Sequence, residues 1–483
     1  MNSSTTKEID YIRSTHHEFL AASDKALQSP SLQVILGQLG DTLGERNRQA
    51  WRMLPNSDLV RQRARQIKDE TLANLHVHLE TLEKSVQDRG GQVHWADDGA
   101  AACQVIVDLI RRRGATRVVK SKSMTTEEIH LNPALIAAGI ETVETDLGEY
   151  IIQLAGHRPS HIVGPALHLS AAEVAEILSV PAGRTLPVER ESLAAFAREQ
   201  LRQKFAAAEV GISGANFAVA ETGTIVLISN EGNARLTTAL PKMHIAIMGM
   251  EKVIPKLADL PYFLKVLARA ATGQKLSVYT SIITGARREE ETDGAEEFHL
   301  VILDNGRSRI LGSPLRESLF CIRCGACLNA CPIYRSVGGH AYGGVYAGPI
   351  GAVLTPLYDG LAANQHLPHA SSLCGACQAA CPVKIQIPEM LVQLREQLHH
   401  EPELKSRWEN FAYRLWARTL RKPWLYRMMT WLATRTMGRW YRKNPWLQRL
   451  PGKLKGWTHK RDFPAPANRR FRDWWDQEGR HES

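Results

Sequence analysis

Seven of the chain's eight cysteines fall in two short runs. The first is Cys321-Ile-Arg-Cys324-Gly-Ala-Cys327-Leu-Asn-Ala-Cys331-Pro332, and the second is Cys374-Gly-Ala-Cys377-Gln-Ala-Ala-Cys381-Pro382. Thiolates are soft ligands, and the spacing C-x2-C-x2-C-x3-C-P wraps iron–sulfur cubanes. Three cysteines at that spacing hold three corners of one cluster. The fourth lies too far round the turn and reaches a second cluster instead. The spacing therefore predicts a crossover. Cys321, Cys324, Cys327 and Cys381 belong to one [4Fe-4S] cluster, and Cys331, Cys374 and Cys377 belong to the other. Pro332 and Pro382 redirect the chain after each fourth ligand. Gly325 and Gly375 are expected to keep side chains from crowding the clusters.

The second run is one cysteine short. Its missing member would stand at position 371, which is Ser371. A serine hydroxyl is far less acidic than a thiol and is the poorer ligand. Ser371, His366 or His369 are candidates for the open corner. A three-iron cluster, a water or a partner's ligand are the other readings. Zinc is the competing metal, but a zinc site takes four ligands, and seven cysteines with Cys-Pro ends exceed that. Cys103 lies in the apolar stretch Ala100-Ala-Ala-Cys-Gln-Val-Ile and reads as a buried structural thiol.

A second candidate site lies upstream. Lys120-Ser-Lys122-Ser123-Met-Thr-Thr follows an apolar run. Such a turn can take an anion through backbone N–H groups and a lysine. It also reads as an ordinary helix start, with Thr125 and Glu128 as a capping box. Glu221-Thr-Gly between two apolar runs either offers a carboxylate to a pocket or is a plain turn. The chain has no G-x-x-x-x-G-K-[ST] and no G-x-G-x-x-G after a strand, so nucleotide binding by those routes is unsupported.

The elements that must position these residues follow from periodicity. At 483 residues, about two to four domains are expected. Residues 1–68 read as polar and helical. From residue 69 to 88, Leu72, Leu75, Leu79 and Leu82 recur at helical spacing and predict a packing helix. Residues 69–304 alternate short apolar runs with helical stretches. Strands are expected at Gln92–Trp95, Arg117–Lys120, His161–Gly164, Phe217–Ala220, Thr224–Ile228, His244–Met248 and Ser277–Ile283. Strands separated by helices predict an α/β domain with a largely parallel sheet. Residues 309–400 form the cysteine module. Its Gly338–Pro349 segment is too glycine-rich for a regular helix.

Residues 401–483 form a basic helical tail. The net charge of +10 is local to it: the tail carries 20 Lys and Arg against 8 Asp and Glu, whereas the first 400 residues are balanced. Trp408, Trp416, Trp424, Trp431 and Trp440 recur with arginines between them. Packing on the chain's own helices is the first expectation for this pattern. Docking on an electron acceptor or peripherally on a membrane comes next, and nucleic acid is not expected. The N-terminus lacks an apolar signal core, and no run of about 18 apolar residues occurs. A cytoplasmic protein is expected, with the inner membrane face as a peripheral option.

Together, the cysteine runs, Tyr342-Gly-Gly-Val-Tyr-Ala-Gly-Pro, Lys120-Ser-Lys-Ser-Met124 and Ala220-Glu-Thr-Gly-Thr224 resemble the lactate utilisation protein B family of bacterial iron–sulfur proteins. The resemblance covers nearly the whole chain. It implies an α/β domain related to the sugar-phosphate isomerase and CoA-transferase type, followed by a ferredoxin-like module with two [4Fe-4S] clusters on the seven cysteines. A missing cysteine at 371 matches the family habit. The resemblance also implies a complex with two sister subunits that oxidises L-lactate to pyruvate without NAD. The chain is then an electron-transfer subunit rather than a stand-alone enzyme. The alternative makes the α/β domain itself bind or convert a small carboxylate or anionic metabolite, with Lys120, Lys122, Ser123 and Glu221 in one pocket and the clusters as an accessory relay.

Overall fold

The computed structural model describes residues 15–401, 407–440, 446–450, 452–459, 461–464, 467 and 469–479. The chain divides into two compact units at residues 398 and 399. The first is built on ten strands: β1 Gln92–Ala96, β2 Arg117–Lys120, β3 Glu141–Glu144, β4 Val210–Ser213, β5 Phe217–Val219, β6 Thr224–Ser229, β7 Met243–Gly249, β8 Val253–Ile254, β9 Tyr279–Thr284 and β10 Glu297–Leu303.

Six of these form a parallel sheet in the order β1-β10-β7-β4-β2-β3. Parallel strands covered on both faces read as nearly continuous apolar runs, and β7 is buried along its whole length. Its residues alternate between two cores. Ile245 and Ile247 pack with Ile106 and Ile110 of the Gly99–Arg112 helix, while Ala246 and Met248 share a core with Leu79 and Leu82 of the Leu75–Gln87 helix. The Gly99–Arg112 helix starts where Asp98 accepts a hydrogen bond from the Ala101 N–H at 2.8 Å.

Chain order and sheet order reverse at one place. From β2 the chain moves outward to β3. It then returns to pair β4 against β2 and continues away through β7 and β10. The carboxyl ends of β2 and β4 therefore flank a topological switch point, where open α/β sheets leave a crevice.

The structure departs from the expected elements in several places. The Ser277–Ile283 run becomes β9 of a second sheet, ordered β8-β5-β6-β9 and mostly antiparallel. His161–Gly164 is irregular rather than a strand. The helix expected over 69–88 is broken at Asn74 into Ser57–Ala73 and Leu75–Gln87. The leucine spacing survives that break, because Leu72, Leu75, Leu79 and Leu82 are all buried. The expected boundary at residue 68 falls inside the first of these helices.

The second unit holds the helices Arg407–Arg421 and Pro423–Trp440 and a short strand pair, Trp446–Leu447 with Phe463–Pro464. Trp408, Trp416, Trp424 and Trp431 are exposed, which does not match the packing expected of them. The Trp440 side chain lies outside the described residues. Among the described residues, no helix is long and apolar enough to cross a membrane.

Ile245 is fully buried in the central strand. Ile245→Ala is expected to destabilise the first unit by about 2–5 kcal/mol, through lost transfer energy and a residual cavity. The shift in a urea midpoint at constant slope measures it.

Candidate metal centre and the adjoining cavity

The two cysteine runs have the same backbone shape. Arg323 and Leu373, each just before a cysteine, are left-handed with φ of 59° and 55°. Gly325 and Gly375 follow those cysteines at φ of 75° and 81°. Each glycine opens a five-residue helix, Ala326–Ala330 or Ala376–Ala380, and the two helices pack together. Cys331 and Cys381 leave their helices in extended conformation before proline. The glycines are required by the left-handed backbone. At Gly325 the neighbouring side chains are an added constraint. A Cβ there would come within 3.3 Å of His161 and Val163, while at Gly375 it would meet nothing within 4 Å.

Cys321, Cys324, Cys327 and Cys381 line one cavity of about 350 Å³ with its open side included, flanked by Ile162, Ile350, Ile385 and Ile387. Burial pushes the Cys381 thiol up to about 12 and raises Cys324 and Cys327 further, with Cys321 adding to each. Cys331, Cys374 and Cys377 form the other set. Burial pushes Cys377 up to about 11, and Cys331 and Cys374 reinforce it. Backbone N–H groups reach sulfurs in both sets: Tyr334 donates to Cys331 at 3.5 Å and Ile385 to Cys381 at 3.4 Å. Cys374 is exposed, and the Ala376 N–H and the Ser372 hydroxyl hold its thiol below the ordinary range.

Ser371 stands where the first run has Cys321, and its hydroxyl accepts the Leu373 N–H at 3.2 Å. His366 is buried against the Phe19 ring, and His369 is exposed. Cys103 donates to the Ile129 carbonyl, and burial pushes its thiol up to about 11. Among the described residues, no three His, Cys, Asp or Glu side chains converge closely enough to hold a single metal ion.

Residues the sequence did not single out hold this module to the sheet. Arg61 donates to the carbonyls of Ala379 and Cys381 at 2.7 and 2.6 Å, and Arg65 pairs with Glu317 at 2.6 Å. At the end of β7, Glu251 is buried. Arg307 donates to it at 2.6 Å and grips Glu128 with both remaining nitrogens at 2.8 and 2.9 Å. Lys68 donates to the Glu251 carbonyl, and Arg323 lies 3.6 Å from its carboxylate and 4.4 Å from the Tyr346 ring centre. Burial alone would raise the Glu251 carboxyl, but Arg307, Arg323, Lys252 and Lys68 outweigh it and hold it at about 2. Glu128 is thus engaged by Arg307, Asn305 and Tyr346, and the expected capping box does not form. Ser123 caps the short helix instead, accepting from the Thr126 N–H at 3.3 Å.

At the switch point lies a larger cavity, about 1460 Å³ with its open mouth included. Lys122 and Ser123 line it, from the turn after β2. The other two residues expected beside them do not. Lys120 is buried under the turn, 2.7 Å from Glu144 and 3.0 Å from the Thr126 hydroxyl. Glu221 sits on the β5–β6 turn, accepting the Leu257 N–H at 3.0 Å. Their places are taken by Lys252, between β7 and β8, and by Arg323 and Cys324 of the first cysteine run. Sequence proximity could not reveal this, since more than 120 positions separate Lys122 from Lys252.

Three family models match the chain. The LUD domain matches residues 79–303, the 4Fe-4S dicluster domain 317–385, and "Lactate utilisation protein B, C-terminal" 393–480. Lactate utilization protein B of Oceanobacillus iheyensis is 47% identical over 89% of this chain and 90% of its own. That of Shouchella clausii is 45% identical over 95% and 97%. A crystal structure of a DUF162 family protein from Deinococcus radiodurans is 14% identical, covers 47% of this chain and 98% of that one, and has a TM-score of 0.27.

Arg307→Met leaves two buried carboxylates without their cation and is expected to cost about 3–5 kcal/mol at neutral pH. Glu251's folded value is depressed, so its contribution is present above about 4.5 and is lost as pH falls through about 2. The difference between wild type and variant in urea denaturation is therefore expected to narrow as the pH is lowered across that window.

Proposed function

The chain belongs to the lactate utilisation protein B family, and on that premise we propose that it is the electron-transfer subunit of an NAD-independent L-lactate oxidation system. The observation that carries this is that Cys321, Cys324, Cys327 and Cys381 line one cavity, with Cys331, Cys374 and Cys377 as a second set. Soft donors around one cavity, with N–H groups on sulfur, suit an iron–sulfur cubane. In this reading the first set supplies four ligands. The second supplies three, with Ser371 as a candidate fourth. A cubane supplies one-electron carriage when bound, and two of them match the electron pair released when a 2-hydroxy acid becomes a 2-oxo acid.

The surroundings of each set support a direction for the relay. Isoleucines give the first set an apolar lining, and Arg61 donates to the Cys381 carbonyl. Cys374 brings the second set to the surface, where a sister subunit or another acceptor would take electrons. Free cysteines suit the reducing cytoplasm. The exposed tryptophans of the basic tail are the candidate contact with an acceptor or a membrane face.

The experiment is anaerobic reconstitution of the full chain, with iron and zinc analysis and EPR of the reduced protein. Two cluster signals are expected. Cys381→Ser should remove the first and spare the second, and Cys331→Ser should do the reverse. Under oxygen the signal of the second set should decay first. Zinc with iron near zero would sink the reading, and equal loss of both signals would remove the asymmetry.

A further inference from the structure

The switch-point cavity shares a wall with the first cysteine set. Ile162, Arg323 and Cys324 line both spaces. A molecule in the larger cavity would therefore sit against a proposed cluster ligand.

Two cations on that shared side have unspent capacity. Lys252 is 8% exposed and has no hydrogen-bond or ion-pair partner among the described residues. Arg323 is buried, and its Nη1 has no hydrogen-bond partner among the described residues. A buried cationic group left unpaired is costly, and such groups are normally satisfied. Lys122, the remaining lysine on the wall, is ion-paired with Glu149 at 3.2 Å, as Arg323 is with Glu251 at 3.6 Å, and its Nζ also makes no hydrogen bond among the described residues, so it can assist the other two.

The rest of the wall narrows the ligand class. Val163, Leu227, Leu267 and Ala271 give an apolar flank that suits a carbon skeleton. Asp146 and Glu231 add negative charge elsewhere on the wall and disfavour a second charge on the ligand. A single carboxylate on a small organic body meets both conditions, and an arginine fork is matched to it. Inorganic phosphate meets neither.

We infer that the cavity binds the carboxylate of a small organic acid through Lys252 and Arg323, and that its occupancy is coupled to the charge of the first cluster. The coupling rests on the reading of Cys321, Cys324, Cys327 and Cys381 as cluster ligands. The binding rests on the cavity alone. A reduced cluster carries one more negative charge than an oxidised one, so the anion binds the oxidised protein more tightly. By linkage, a bound anion makes the cluster harder to reduce by the same free energy. An organic acid is held while the cluster can accept an electron and is released once it has one.

The test is calorimetry on the reconstituted full chain, oxidised and dithionite-reduced, with pyruvate, L-lactate and inorganic phosphate as probes. At least one carboxylate is expected to bind the oxidised protein about tenfold more tightly than the reduced one. For one electron that ratio equals about 59 mV, and the same shift should appear in a redox titration of the first signal. Lys252→Met and the milder Lys252→Gln should weaken binding at least tenfold with iron content unchanged, and Lys252→Arg should recover part of it. Unchanged carboxylate affinity in an iron-replete Lys252→Gln protein would overturn the proposal, as would phosphate competing equally. No carboxylate binding by an iron-replete wild-type chain would overturn this inference while leaving the electron-transfer reading intact. Missing iron would overturn that reading and the coupling, while carboxylate binding to the same protein would still support the site.

Discussion

A single carboxylate sets the geometry around the cysteine module. Glu251 ends a central strand in full burial, where desolvating an unpaired anion costs several kcal/mol. The chain meets that cost with groups from three distant stretches. Lys68 comes from an N-terminal helix, Arg307 from the turn after β10, and Arg323 from between two cysteines. Each must be placed within a few tenths of an ångström to be useful, so their backbones are placed too. Fixing Arg323 fixes Cys321 and Cys324 on either side of it. Because Lys252 is the next residue along from Glu251, the same constraint sets a second cation beside the cavity.

The legible parts of the molecule were those whose physics is local. The cysteine spacing is a local signal because a cubane demands ligands a few residues apart, and Cys381 does line the same cavity as Cys321, Cys324 and Cys327. The apolar runs of β2, β6 and β7 were legible for a similar reason, since a strand buried along most of its length is mostly apolar. The charged residues were not legible. Glu128 looked like half of a capping box, and only the arrival of Arg307, 179 positions later, gives it another partner. Lys120 and Lys122 looked alike in sequence, yet one is locked to Glu144 and the other lines the cavity. Strand alternation would put both on one face, so it is the end of β2 at Lys120 that separates them.

The switch point accounts for the location of the cavity. Strand order reverses between β2 and β4, so the two connections leaving these strands diverge and leave a crevice. In this chain the crevice is flanked by the first cysteine run and by the Leu260–Thr272 helix. An α/β sheet and a cysteine module that could each fold around its own core thus share one wall. Their cores are continuous, since Leu79, Met248, Cys327 and Cys381 belong to the same buried cluster.

That shared core has a consequence for how the protein is made. Cys321, Cys324 and Cys327 leave the ribosome 54 positions before Cys381, which is roughly 3–11 s at about 5–20 residues per second. Through that interval the cavity lacks its fourth thiol wall. The Ser57–Ala73 helix, made long before, has nothing for Arg61 to hold. The cysteine cavity is therefore completed only once Cys381 and the isoleucines that follow it, Ile385 and Ile387, have emerged. A helix made early and a cavity wall made late thus meet only after the second cysteine run has emerged.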